Sequence, residues 1–145
     1  MSYLLTASEV REYLGDYPQN NLLLDTVEFG DTFIELCMEL AVSEYNTMSP
    51  VSCMSLTTFP SKSLLLMGTC WQMYQGRAAL MARNQLSYSD GGLQIPVEEK
   101  YELYMSLAAN FKNIFQTSAM ALKINSNMED GWSYVSSDEA LFPTW

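Results

Sequence analysis

The chain has 145 residues, of which 48% are hydrophobic and only 17% charged, with seven Gly and five Pro. That composition belongs to a packed globular domain, and one domain of this length buries roughly 68–70% of its unfolded surface. A net charge of −10, from 17 acidic and 7 basic residues with no His, argues against binding that depends on Lys and Arg displacing counterions from phosphates.

The charge is also unevenly distributed: residues 1–60 carry nine carboxylates and Arg11 as their one cation, whereas Lys62, Arg77, Arg83, Lys100, Lys112 and Lys123 follow. Unlike halves suit head-to-tail contact between copies. Cys37, Cys53 and Cys70 are odd in number and lack zinc-knuckle or redox spacing, so they read as structural thiols from a reducing compartment. The opening MSYLLTASEVREYLG has no basic region before an apolar run, and reads as a helix rather than a signal peptide.

Four helices are expected. In the first, Thr6 and Glu9 form a capping box and Gly15 supplies the left-handed stop. A turn over Asp16–Asn21 follows. The second helix spans about 31–46, with Phe33, Cys37, Leu40, Ala41 and Tyr45 on its packed stripe and Glu35, Glu39 and Glu44 mostly off it. Met48–Pro60 is uncharged and rich in Ser and Thr, and reads as an extended connector with room for a short strand.

Ser61 caps a third helix reaching about Leu86, the expected long central helix, apolar nearly all round at its start. Gln72, Gln75 and Arg77 interrupt its apolar run short of the roughly 20 residues that a membrane span requires. Its small residues Gly68, Gly76, Ala78, Ala79 and Ala82 predict close helix packing. Tyr88–Gly92, YSDGG, is a turn: Asp90, Gly91 and Gly92 accept positive φ readily, and a phosphate loop would need spaced glycines and a Lys.

The fourth helix should begin near Pro96, where Glu98 and Glu99 complement the positive end. Tyr101, Tyr104, Met105, Ala108, Phe111, Phe115, Ala119 and Leu122 then recur at spacings of mostly three and four as a core-facing stripe, with Lys123 near the negative end. Residues 125–145 show no helical period and carry Gly131 and Pro143, so they read as an extended arm beyond a helical domain of residues 1–124. Trp132, Tyr134, Val135, Leu141, Phe142 and Trp145 give that arm aromatic and apolar anchors of the kind that dominate protein interfaces.

No cofactor and no metal are expected. Without His, the usual base for a Ser or Cys nucleophile is missing. The carboxylate sets Asp25, Glu28 and Asp31, and Glu98, Glu99 and Glu102, lie at expected helix starts, where capping and the helix dipole account for them.

The stretch GRAALMARNQLSYSDGGLQIPVEEKYELYMSLA, Gly76–Ala108, resembles the helix, turn and helix of neck proteins from tailed bacteriophages, and LTASEVREYLG resembles the first helix of their head-to-tail adaptors. The resemblance implies a homo-oligomeric ring, usually twelve-fold, beneath the portal. It implies a C-terminal arm that binds the portal, contacts to tail or other neck proteins, and a channel through which DNA passes without specific binding. The location implied is the virion neck, after synthesis in the host cytoplasm, with no membrane association and no enzymatic activity. The connector from Met48 to Pro60 has no counterpart in that pattern. The alternative class is an acidic helical binding module, whose arm would cover its own core.

Overall fold

The computed structural model describes residues 4–21, 26–83, 89–90, 93–94 and 100–133; among 89–94 and 129–133 only the backbone is considered. The fold is all-α: helices α1 (Ala7–Leu14), α2 (Asp31–Thr47), α3 (Lys62–Arg83) and α4 (Lys100–Ser133) form a small bundle. A two-residue antiparallel ladder, β1 (Ser89–Asp90) with β2 (Leu93–Gln94), places Asp90 opposite Leu93. Tyr88, Gly91 and Gly92 of the expected turn lie outside the described residues.

Local signals set the helix ends. The Thr6 hydroxyl accepts from the Glu9 amide at 3.3 Å while the Glu9 carboxylate accepts from the Thr6 amide at 3.0 Å, so two otherwise orphaned donors are satisfied reciprocally. Gly15 adopts φ +66°, and the chain leaves α1 through that left-handed residue. Ser61 caps α3, its hydroxyl accepting from the Leu64 amide at 3.3 Å.

Helix α3 packs against both α2 and α4. Its Gly68 lies where the three helices converge: a Cβ there would sit 2.7 Å from the Phe115 ring and 2.9 Å from Ala41 Cβ. Only hydrogen in place of a side chain allows that approach. The core around it comprises Ile34, Cys37, Met38, Ala41 and Tyr45 of α2, Leu65, Trp71 and Met73 of α3, and Ala108, Phe115 and Ala119 of α4. Tyr74 adds a ring cluster, stacking on Phe111 at 5.7 Å and on Tyr104 at 6.0 Å.

Several expectations require correction. Leu40 is exposed, because 100° steps along α2 bring Ile34, Met38, Val42 and Tyr45 inward and turn Leu36 and Leu40 outward. Met105 is likewise on the exposed side of α4. The longest helix is α4, with 34 residues against 22 in α3. Close packing holds at Gly68 and Ala78, and also at Gly76, where a Cβ would lie 2.8 Å from the Phe33 ring of α2, but Ala79 and Ala82 are exposed.

The arm does not begin at residue 125, because α4 continues to Ser133 and takes Asn125–Gly131 into the helix. No proline stands between Lys100 and Pro143, Met128 extends the apolar spacing from Ile124, and one Gly near a helix end costs only about 1 kcal/mol relative to Ala. Residues 134–145, with Tyr134, Val135, Leu141, Phe142 and Trp145, lie outside the described residues; Trp132 is on the last turn of α4.

The connector contains no strand. Asn46 holds it against the end of α2, its Nδ2 donating to Met54 O at 2.9 Å and its Oδ1 accepting from the Met54 amide at 2.9 Å. Phe59 seats on Tyr45, edge to face with centroids 4.9 Å apart. Lys123, expected at the helix terminus, instead stands on the packed side of α4. Its Nζ donates to Met48 O and Pro50 O, each at 2.6 Å, and lies 4.5 Å from the centre of the Tyr45 ring. Burial holds that ammonium below the usual lysine pKa.

Candidate interaction surface

Helix α4 has two apolar faces. The first is the packed stripe of Tyr104, Ala108, Phe111, Phe115, Ala119 and Leu122. The second follows from the spacing of Leu103, Leu107, Asn110, Ile114, Thr117, Ala121, Ile124 and Met128, which alternates four and three residues over about 37 Å of helix. This seam is open, with Leu103 59%, Ile114 48%, Ile124 56% and Met128 55% exposed. Met120, beside it, is equally uncovered.

The charge pattern makes the face unusual. From Leu103 to Met128 α4 has no carboxylate, and its two cations are both engaged away from the seam: Lys123 in its carbonyl clasp and Lys112 over the Trp71 ring at 5.3 Å. An exposed helix in a chain of net charge −10 ordinarily carries its share of Asp and Glu on the wet side. Exposed apolar side chains recurring along one helix face, here interrupted by Asn110 and Thr117, make a candidate contact site.

A second uncharged stripe lies on α2, where Leu36, Leu40, Ser43 and Thr47 are exposed at spacings of four and three. It continues onto the connector through Val51, 78% exposed. Glu35 and Glu39 flank it on one side and Glu44 on the other, all exposed. Between the Glu39–Thr47 part of α2 and Val51–Ser52 runs an open groove of about 590 Å³. A second groove of about 340 Å³ extends it toward Leu56 and Thr57.

Among the described residues, the carboxylates considered for acid–base or metal chemistry form no cluster. Glu28 accepts from Arg77 Nε at 3.2 Å and from the Tyr104 hydroxyl, while Arg77 Nη2 also donates to the Glu28 carbonyl. Burial, followed by the Glu28 hydrogen bond and charge, pushes the Tyr104 phenol well above its usual range. Asp31 pairs with Arg11 and is otherwise exposed. Glu102 is exposed, and Asp25, Glu98 and Glu99 lie outside the described residues. Among the described residues no three His, Cys, Asp or Glu side chains group as metal ligands.

Asp16 is the one buried carboxylate among the described residues, and its role is structural. It accepts from the Glu28 amide at 2.7 Å, the Phe29 amide at 3.0 Å, Asn21 Nδ2 at 2.7 Å and Arg11 Nη1 at 3.2 Å. Burial raises its pKa, but those four donors outweigh burial and hold it below the ordinary aspartate value. The result fastens the segment before α2 to the end of α1. Cys37 and Cys70 are buried and their thiols are pushed up to about 12 by desolvation, whereas Cys53 is exposed on the connector.

The two outer stripes were missed in the sequence, although the 4–3 spacing on α4 was there to be found. No family model, curated protein or solved structure matches the chain. No helix among the described residues is long and apolar enough to cross a membrane.

Proposed function

We propose that this chain is a structural subunit that acts by joining a larger protein assembly. The observation that carries this reading is the open apolar seam of α4, about 37 Å long and free of carboxylates from Leu103 to Met128. No described residue covers that surface, and an apolar face of this length is suited to a protein contact.

The particular assembly we propose is the neck of a tailed-bacteriophage virion, on the resemblance of Gly76–Ala108 and of the first helix to adaptor subunits. Copies would form a ring between portal and tail, of twelve subunits as is usual in the resembled family. The all-helical bundle agrees with this assignment. The excess of 17 acidic over 7 basic residues suits a channel wall that lets DNA slide past without holding it. Contact with the portal is assigned to the C-terminal segment, through Trp132, Tyr134, Val135, Leu141, Phe142 and Trp145, whose large apolar side chains suit anchoring pockets.

The test is a native mass measurement of the purified chain alone and mixed with portal rings, using the full chain and one lacking residues 134–145. The full chain should bind the rings and the shortened chain should not. Absence of binding by the full chain, or equal binding by both, would refute the assignment.

A further inference from the structure

We propose that the open seam of α4 is a two-fold pairing face: in the free chain two copies join through it, their α4 helices antiparallel and crossing the axis at the level of Phe115 and Gln116. The proposal rests on the reading of the seam as a contact face and goes beyond it by naming the occupant. It does not depend on the neck assignment.

Two observations select the seam of a second copy. The first is charge. The seam carries no carboxylate from Leu103 to Met128, and Lys112 and Lys123 are held away from it, over the Trp71 ring and on the carbonyls of Met48 and Pro50. A face with no cation offers nothing to an acidic partner. The α2 stripe, flanked by exposed Glu35, Glu39 and Glu44, would lose hydration at those carboxylates against it with no counter-charge in return. The seam of a second copy brings no such cost, because it is itself uncharged over the same length.

The second observation is register. The steps from Leu103 to Met128 run 4-3-4-3-4-3-4, an order that reads the same in both directions. Turning one helix end for end therefore sets every seam position against a seam position. Leu103 then faces Met128 of the second copy, Leu107 faces Ile124, Asn110 faces Ala121 and Ile114 faces Thr117. Bulky pairs close the two ends, and each small or polar residue meets a different side chain. A parallel pairing would set Ala121 on Ala121 and leave a void, bring Asn110 and Thr117 each onto its own kind, and align the two helix dipoles. The seam also lies about a third of a turn round α4 from the packed stripe, which leaves each bundle on the outer side of the pair.

A two-fold contact uses the same face on both copies, so it closes on itself and stops at two. Sedimentation equilibrium should therefore find the unaltered chain as a dimer and Ile114→Glu with Ile124→Glu as a monomer. Both positions are exposed, so helicity by circular dichroism should be retained, and Ile114→Gln with Ile124→Gln repeats the readout if Glu disturbs it. Direction is read by cross-linking in a Cys53→Ser background, which removes the exposed thiol and leaves Cys37 and Cys70 buried. Positions 103 and 128 stand about 37 Å apart along one helix, beyond the reach of a disulfide. Mixed and oxidised with diamide, Leu103→Cys and Met128→Cys chains should form a covalent heterodimer, and neither should link to itself. An unaltered chain that is monomeric or larger than a dimer, a dimer that survives both Ile pairs, or self-linking of either cysteine variant would overturn the proposal. A dimer that failed to bind portal rings would sink the neck assignment and spare this inference. A monomer that bound them would do the reverse.

Discussion

Replacing Gly68 by Ala tests the packing argument most directly, because two physical effects oppose each other at that position. Alanine is the better helix former by about 1 kcal/mol, which favours the substitution. The new methyl, however, would lie 2.7 and 2.8 Å from two atoms of the Phe115 ring and 2.9 Å from Ala41 Cβ. Ordinary carbon contacts lie at about 3.5–4.0 Å, so α3 must retreat from α2 and α4 together. Phe115 is fully buried and tilted against Trp71 with centroids 5.8 Å apart, and Ala41 is rooted in the backbone of α2, so neither wall yields readily. Overpacking of this kind costs about 1–3 kcal/mol, which exceeds the propensity gain when both walls resist. We expect a net loss of up to about 2 kcal/mol and a melting midpoint lower by up to about 6 °C.

Gly76→Ala is the control. Its methyl would meet only the tip of Phe33, at 2.8 and 3.4 Å, and Phe33 is half-buried and able to swing aside. Helix propensity should then win, with a gain of about 0.5–1 kcal/mol. Thermal and urea unfolding followed by circular dichroism measures both. Adding Phe115→Leu to Gly68→Ala should recover part of the loss, since the two side chains contend for one space. Equal or greater stability of Gly68→Ala relative to Gly76→Ala would refute the three-helix close approach.

Asp16→Asn should destabilise the fold by about 1–3 kcal/mol near neutral pH, because a buried charged acceptor of four hydrogen bonds is lost. The folded pKa of Asp16 is depressed, so its contribution is fully present above the unfolded value of about 3.9 and disappears as pH falls through the lower folded value. The stability gap between the unaltered chain and the variant should therefore narrow as pH falls below about 4, and a gap that stays constant down to pH values below the folded pKa would contradict the assignment. Lys123→Met should cost about 1–2 kcal/mol and open the connector to chymotrypsin near Met54, Leu56 and Phe59, since both carbonyl bonds from the ammonium are lost. An unchanged cleavage pattern would show that the Asn46 bonds hold the connector without it.

How much of this was legible beforehand differs from element to element. The Thr6–Glu9 box, the Gly15 stop and the Ser61 cap each depend on a few neighbouring residues, and each appears in the structure as the sequence implies. The packed stripe of α4 from Tyr104 to Leu122 was also legible, apart from Met105, because a helix converts spacing directly into a face. The end of α4 was not: Asn125–Gly131 is poor in helix formers and has no packed period, yet it continues a helix already nucleated over 25 residues, from Lys100 to Ile124. Nor was the role of Lys123, whose carbonyl partners lie 75 and 73 residues away.

The candidate surface shows the division most clearly. The spacing in the sequence puts Leu103, Ile114 and Ile124 on one side of a helix with no carboxylate between them, although the reading of residues 125–145 as an arm left Met128 out of it. Periodicity identifies which residues lie together but not which face another helix will cover. Only the tertiary structure decided that the missing side chain at Gly68 lets α3 close on Phe115 and Ala41 together, and that no described residue covers the second apolar face of α4.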